Sequence, residues 1–230
     1  MSRQITVLGK VVLAALVFAL PVCASASQTD AALSVYGAFS GTTTGAGQSI
    51  NTQTPANAAG GMIELRHLVH PWLGYEATYS FNRANQNYTN EPVLSCPISL
   101  GNCSEIIRSS ISANAHEITG DWVFSLKLLN LHPFAVVGAG VLIDVPTWGS
   151  YAVDYPSSGS LFSSSPATST AVKPVFVYGA GFDWGLLPHL GLRFQYRGNV
   201  SKAAALTNAI QSTNAFMNTS EPMIGAYFRF

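Results

Sequence analysis

Apolar and polar side chains alternate in short runs along most of this chain. Between residues 176 and 184, for example, aromatic residues occupy four of the even positions, whereas Gly179, Gly181 and Asp183 occupy odd ones. Successive side chains of a β-strand point to opposite faces of the sheet. The alternation therefore predicts strands that have one apolar face and one polar face.

Eight such runs follow the first 26 residues. Their approximate spans are 31–42, 58–69, 72–83, 111–126, 133–145, 173–186, 190–200 and 221–230. They are long enough for a strand to cross a bilayer, which takes about 9–11 residues. No segment in this part of the chain approaches the roughly 18 continuous apolar residues of a membrane-spanning helix. Any membrane-spanning elements must therefore be strands.

The connections between these strands alternate in length. Three are short, near residues 70–71, 127–132 and 187–189. Four are long and rich in Ser, Thr, Asn, Gly and Pro, near residues 43–57, 84–110, 146–172 and 201–220. Transmembrane barrels have short turns on one side and long loops on the other, whereas a soluble β-sandwich has no reason to sort its loops by length. We predict an all-β fold, an eight-stranded antiparallel up-and-down transmembrane β-barrel formed by residues 27–230.

Residues 1–26 have the pattern of a cleavable signal peptide. Arg3 and Lys10 precede the apolar stretch 11–20, and Ala24-Ser25-Ala26 offers small residues for cleavage. The apolar stretch is too short to span about 30 Å of hydrocarbon as a helix. Cys23 suggests a lipoprotein site as an alternative, which the bulky Val22 before it disfavours. We therefore expect export from the cytoplasm.

The composition agrees with a membrane location. Charged residues make up 10% of the chain and hydrophobic residues 48%, whereas soluble domains contain about 25% charged residues. Signal cleavage removes two of the 11 basic residues and none of the 11 acidic ones, which leaves a formal charge of −2. This balance implies no nucleic-acid partner. Cys96 and Cys103 then remain as an even pair in an oxidising compartment, which predicts a disulfide in an external loop.

Strand parity places most ionisable residues on the face opposite the aromatic ones. The predicted interior set contains six carboxylates and four guanidinium groups: Glu64, Arg66, Glu76, Glu117, Asp121, Asp144, Asp183, Arg193, Arg197 and Arg229. The interior of an eight-stranded barrel is only wide enough to be filled by side chains. Because an unpaired buried charge costs several kcal/mol, we expect these residues to form an ion-pair network. A catalytic or ion-conducting role for them is the alternative.

The five histidines do not form a recognisable catalytic site. His70, His132 and His189 fall in the predicted short turns, and His67 and His116 fall on the outward face near strand ends. None has a serine at the spacing of a lipid-hydrolase dyad, and Glu117 next to His116 points to the opposite face. We predict no catalytic residues, no metal site and no cofactor.

Three segments resemble the small eight-stranded outer-membrane barrels of the OmpA/OmpX type, often labelled outer membrane beta-barrel or porin-family proteins. They are residues 177–184, residues 191–198 and the ending Gly225-Ala226-Tyr227-Phe228-Arg229-Phe230. The resemblance implies a monomer among outer-membrane lipid and lipopolysaccharide, with both termini periplasmic. It also implies that the barrel-assembly machinery reads Phe228 and Phe230, and that the protein has a structural, adhesive or envelope-stabilising role without catalysis.

Three other functions are compatible with parts of the pattern. A narrow passive pore would use the polar interior, although eight strands leave little room for a channel. A lipid-modifying outer-membrane enzyme would need a proton-transferring group at the membrane edge. A soluble lipocalin-like barrel would place its aromatic residues inside, which is the reverse of the parity found here.

Overall fold

The computed structural model describes residues 28–46, 49–92, 106–155, 160–208, 210 and 212–230. The predicted signal peptide and both Cys96 and Cys103 lie outside these ranges. The described residues form eleven strands. They are β1 (Gln28–Ser40), β2 (Thr43–Ala46), β3 (Ser49–Pro55), β4 (Ala58–His70), β5 (Leu73–Pro92), β6 (Ile106–Ser125), β7 (Leu131–Tyr155), β8 (Ser160–Ser164), β9 (Ala171–Gly185), β10 (Leu190–Lys202) and β11 (Phe216–Arg229).

Eight of these strands close into an antiparallel barrel. In order around the barrel they are β1, β4, β5, β6, β7, β9, β10 and β11. The first and last strands close it, in a register that pairs Ala31 with Phe228 and Val35 with Ile224. Each of the eight coincides with one of the predicted runs. The predicted eight-stranded barrel fold is therefore confirmed.

Three barrel strands continue past the barrel and form a protruding sheet. The pairing of β5 with β6 reaches Asn90 and Ile107, and the pairing of β6 with β7 reaches Ile106 and Asp154. The hairpin of β2 and β3 adds to one side of this sheet through β5, and β8 adds to the other side through β7. The sequence predicted loops in these regions, and that prediction was wrong.

Polar pairing explains why the protruding sheet gives no apolar alternation. The Gln53 amide donates to the Gln86 carbonyl oxygen at 3.1 Å, and the Asn90 amide donates to Asn51 Oδ1 at 2.5 Å. Backbone ladders and side-chain amides hold these strands together. A search for alternating apolar residues cannot detect such strands.

The described residues between β10 and β11, which are 203–208, 210 and 212–215, form a cap over the long-loop end of the barrel. Leu206 and Ile210 pack in a buried cluster with Tyr88, Ile111 and Ala204. The Tyr88 hydroxyl donates to the Ala204 carbonyl oxygen at 2.8 Å. Burial raises the pKa of Tyr88 above its ordinary range, so the hydroxyl keeps the proton that it donates. The cap is therefore anchored on the protruding sheet.

The short turns and both described chain ends share the opposite end of the barrel. The Phe230 amide donates to the Thr29 carbonyl oxygen at 3.0 Å, and the Arg229 amide donates to the His189 carbonyl oxygen at 2.8 Å. This end is called the short-turn end below. None of the described residues belongs to a helix long and apolar enough to cross a membrane.

The barrel strands sort their side chains by face. Leu33 and Val35 of β1 are 67% and 63% exposed, whereas Ser34 and Tyr36 between and after them are buried. The same alternation gives an outward belt of large exposed apolar side chains all round the barrel. Its members include Ile63, Leu65, Tyr79, Phe81, Ile118, Trp122, Val137, Phe176, Tyr178, Phe182, Trp184, Tyr196, Ile224 and Phe228.

Candidate functional site: the buried charge network

Arg193 of β10 is the centre of the charge network in the short-turn half of the barrel. Its guanidinium is fully buried and donates to Asp183 through Nε at 2.8 Å and Nη2 at 3.0 Å. It also donates to Glu64 Oε2 at 2.6 Å and to Asp30 Oδ1 at 2.9 Å. Register explains the pairing with Asp183, because Arg193 lies directly opposite Asp183 on the neighbouring strand β9.

Arg66 of β4 forms the second buried cation of this half. It donates to Glu76 Oε2 through Nε at 2.7 Å and to Asp183 Oδ2 through Nη1 at 3.2 Å. Arg66 and Glu76 are register partners on β4 and β5. Asp183 thus links the two arginines, and together these residues connect four strands across the interior. Charge-assisted bonds of this kind are about twice as strong as neutral ones.

Phe134 forms an aromatic support beneath the two arginines. The Arg66 guanidinium carbon lies 4.0 Å from the centre of the Phe134 ring, and that of Arg193 lies 5.5 Å from it. A β-carbon on Gly181 would lie 2.8 Å from the Phe134 ring. The missing side chain at Gly181 therefore makes room for the aromatic ring, and a desolvated cation–π contact contributes up to about 2 kcal/mol.

Arg197 of β10 forms a second group nearer the long-loop end. Its Nη2 donates to Glu117 Oε1 at 3.3 Å, and its Nη1 lies 3.5 Å from Asp121 Oδ2. Thr119 donates to Asp121 and accepts a bond from Arg197 at 3.2 Å. The Asn199 amide donates to Glu117 Oε2 at 2.8 Å. Beyond this group, Lys173 Nζ pairs with Asp144 Oδ2 at 3.0 Å.

Sequence parity missed three buried charged residues. Asp30 precedes the predicted start of its strand, whereas β1 begins at Gln28. Lys173 and Glu221 stand at the starts of their predicted strands, and each shares the inward parity of the residues that follow it. Glu221 is the register partner of Arg197, but its Oε2 has no hydrogen-bond partner.

Acidic groups outnumber cations inside the barrel. Among the described residues eight buried carboxyl groups stand against four buried cations. The carboxyl groups are those of Asp30, Glu64, Glu76, Glu117, Asp121, Asp144, Asp183 and Glu221, and the cations are Arg66, Lys173, Arg193 and Arg197. Because buried charge without a partner is costly, not all eight can be ionised together at low cost.

Arg229 lies at the rim of the short-turn end, apart from the network. Its side chain is half-buried, contacts the Tyr227 ring at 5.2 Å and pairs with Gln28. It lines a cavity of about 220 Å³ together with Asp30, Lys127 and His132. Arg229 is the last residue of β11 and is only half-buried, which parity alone does not reveal.

Arginines separate this cavity from one in the other half of the barrel. The second cavity measures about 50 Å³ and is lined by Glu117, Asp144, Lys173 and Glu221 among others. Arg66, Arg193 and Arg197 lie between the two and are fully buried. The arrangement can brace the barrel and block its centre.

The histidines lie at the edges of the barrel. His67 Nδ1 is 2.8 Å from the Thr29 hydroxyl, and His116 Nδ1 is 2.9 Å from the Tyr79 hydroxyl, both on the outward face. His70 stacks on Trp72, and His189 lies beside Phe228. In the ranges that the structure describes, no group of three or more His, Cys, Asp or Glu is arranged to hold a metal ion.

Known structures share this fold at low sequence identity. The outer membrane protein OprG from Pseudomonas aeruginosa is 11% identical, with 89% of this chain and 96% of that chain covered and a TM-score of 0.50. Neisserial surface protein A is 13% identical, with coverage of 91% and 100% and a TM-score of 0.46. Ail, the attachment invasion locus protein of Yersinia pestis, is 14% identical, with coverage of 88% and 99% and a TM-score of 0.43.

No protein-family model and no curated protein matches the sequence significantly. The structural likeness therefore concerns the fold, which is that of small eight-stranded outer-membrane barrels.

Proposed function

We propose that this protein is a bacterial outer-membrane barrel that does not conduct and that holds a β-sheet at the cell surface for adhesion or envelope stabilisation. The sorting of side chains supports this proposal most directly. Large apolar groups such as Leu33 and Ile63 are more than half exposed, while Glu64 and Arg193 are fully buried. An apolar surface of this extent is unfavourable in water and is rare on soluble proteins. The outer face of a transmembrane barrel has such a surface because it contacts lipid.

The charge network and the cap support a structural role rather than transport. Three buried arginines fill the barrel centre, and the anchored cap covers its long-loop end. Single-channel recording in planar bilayers should therefore give no steady conductance. A stable conductance that changes when Arg197 is replaced would favour the narrow-pore alternative.

The protruding sheet is the surface that we assign to external contacts. Orientation follows from the rule that long loops face outward and the chain ends face the periplasm. Removing the β2–β3 hairpin should leave the barrel folded, because this hairpin adds to the edge of the sheet through β5. We expect binding of cells to host or abiotic surfaces to fall in this variant while the amount of barrel in the membrane stays constant.

Cell fractionation with gel mobility tests the location. The protein should fractionate with lipopolysaccharide-containing membrane and migrate faster before boiling than after, because folded barrels resist detergent. In the assembly that we propose, the barrel-assembly machinery recognises Phe228 and Phe230, so deletion of Phe230 should leave the protein in the periplasm. Recovery of the intact protein in the soluble fraction would contradict the proposed location.

A further inference from the structure

The apolar surface at the short-turn end continues onto two neighbouring turns. These turns, residues 126–131 and 186–190, are called the leucine turns below. The Gly185 amide donates to the Asn130 carbonyl oxygen at 2.9 Å and joins them. Together they carry seven leucines that are 41% to 92% exposed: Leu126, Leu128, Leu129, Leu131, Leu186, Leu187 and Leu190.

Leu129 occupies an unfavourable backbone conformation at the tip of the first turn. Reciprocal backbone hydrogen bonds of 2.9 Å between Leu128 and Leu131 close the turn. Leu129 has a φ of 56°, in the left-handed region where tight hairpin turns favour Gly, Asn or Asp. A leucine there is disfavoured, because its β-carbon lies too close to the following carbonyl oxygen. Its side chain is 92% exposed, so packing within the chain does not offset that cost.

Two polar side chains in or next to the first leucine turn border the barrel interior. Lys127 lines the 220 Å³ cavity inside the barrel rim, as does His132 at the start of β7. His189 Nδ1 bonds the Arg229 carbonyl oxygen at 2.9 Å. Lys127 and His132 thus border the barrel interior, whereas Asn130 and His189 are exposed beside the leucines.

The leucines extend the outward faces of the strands that lead into them. Leu126 follows Trp122 and Phe124 in the same parity on β6, and Leu186 follows Phe182 and Trp184 on β9. All of these side chains are exposed. The third short turn, His70-Pro71-Trp72, differs because it has no leucine and Trp72 is its one large exposed apolar side chain. The apolar belt is therefore taller on the side of β6 to β10.

We infer that the leucine turns are a membrane anchor that inserts into the acyl chains of the leaflet at the short-turn end. The inference rests on the proposed membrane location. Continuity with the outward belt favours lipid over a protein partner, because no polar boundary separates the leucines from the belt. The taller side also sets the direction in which the barrel tilts to match the bilayer thickness.

Site-specific fluorescence in liposomes tests this anchor. Single cysteines are introduced by Leu129→Cys, Leu187→Cys, Val35→Cys and His70→Cys into the full chain, with Cys23, Cys96 and Cys103 replaced by serine. Each labelled variant is first checked for heat-modifiable gel mobility. An environment-sensitive dye at Leu129 and Leu187 should emit at shorter wavelength, lose intensity with acyl-chain nitroxide lipids and resist aqueous iodide, like the mid-belt label at Val35. The His70 label, in the third turn, should be quenched by iodide.

The quenching results distinguish failure of the proposed anchor from failure of the proposed membrane location. If iodide quenches the labels at Leu129 and Leu187 while acyl-chain nitroxides quench the label at Val35, the barrel is embedded and the anchor is wrong. If iodide also quenches the label at Val35, the proposed location fails, and the anchor fails with it.

Discussion

Arg193 forms more ion pairs than any other described cation in the barrel. It contacts Asp183, Glu64 and Asp30 at 2.6–3.0 Å with no exposure to solvent. Removing one member of a buried ion-pair group leaves its partners without compensation, which costs about 3–5 kcal/mol. Arg193 is therefore the residue whose loss should most weaken the folded barrel.

Replacement of Arg193 tests this directly. We expect Arg193→Met to lower the free energy of unfolding by about 3–5 kcal/mol, measured by urea titration of the refolded barrel with gel mobility as readout. Arg83→Met is the matched control, because Arg83 is exposed and donates to the neutral hydroxyls of Ser112 and Thr147. Equal urea midpoints for the two variants would contradict the role given to Arg193.

Neutralising two buried glutamates by Glu→Gln substitution should have different effects on the stability of the barrel. Glu64 accepts bonds from Arg193 and from Ser34, so Glu64→Gln should lower the free energy of unfolding by about 1.5–3 kcal/mol. Glu221 forms no ion pair within the described part of the chain, and its Oε2 lacks a partner. Glu221→Gln should leave the urea midpoint unchanged or raise it. A lower midpoint for Glu221→Gln than for Glu64→Gln would refute this contrast.

Strand parity predicts which charges share a face but not how they connect. It places Glu64 with Arg66 and places Arg193 with Arg197, because these pairs lie two or four residues apart on one strand. It cannot show that Asp183 bridges Arg66 and Arg193, since that depends on the curvature that brings β4 opposite β9. Nor does it separate Arg229 at the rim from Arg193 at the centre.

Among the elements, the cap is held by contacts outside the barrel ladder, such as the bond from the Ser169 amide to the Leu206 carbonyl oxygen at 3.0 Å. Leu206 is fully buried in the cluster with Tyr88 and Ile111, whereas Ala205 beside it is exposed. The barrel ladder does not include the described residues of the cap, which are 203–208, 210 and 212–215. Because the cap does not share the ladder of the barrel, we expect it to open as a separate local unit while the barrel stays folded.

Paired aspartate substitutions test the cap. Leu206→Asp places a charge in the apolar cluster and should make residues 203–215 sensitive to protease added outside intact cells, while heat-modifiable mobility is retained. Ala205→Asp, at the exposed neighbour, should stay resistant. Resistance of both variants, or loss of heat-modifiable mobility in Leu206→Asp, would show that the cap is not an independent unit.

The elements that the sequence predicts well are those in contact with lipid on one face. β9 and β10 alternate aromatic with glycine or charged residues and are found within a few residues of their predicted ends. β3 and β8 give no such signal. In β3 the inward Gln53 pairs with Gln86, and polar residues on both faces leave only long-range backbone pairing, which a local pattern does not encode.

At the scale of the whole molecule, the barrel reverses the usual arrangement of a globular protein. Its apolar side chains form the outer belt, and its charges, held by three arginines and a lysine, fill the centre. The short turns, the chain ends and the leucine turns lie at one end, and the cap and the protruding sheet lie at the other. This polarity lets the barrel serve as a fixed anchor for the sheet.

Spin labelling along β1 tests the sorting of faces most directly. Nitroxides are placed one at a time at Leu33, Ser34, Val35 and Tyr36 of the full chain in liposomes, and collision rates with oxygen and with a water-soluble nickel complex are measured. We predict that labels at Leu33 and Val35 collide with oxygen and not with nickel, and that labels at Ser34 and Tyr36 are immobile and reached by neither. Nickel collisions at Leu33 and Val35, or no alternation along the four positions, would contradict a barrel embedded in lipid around a closed ionic interior.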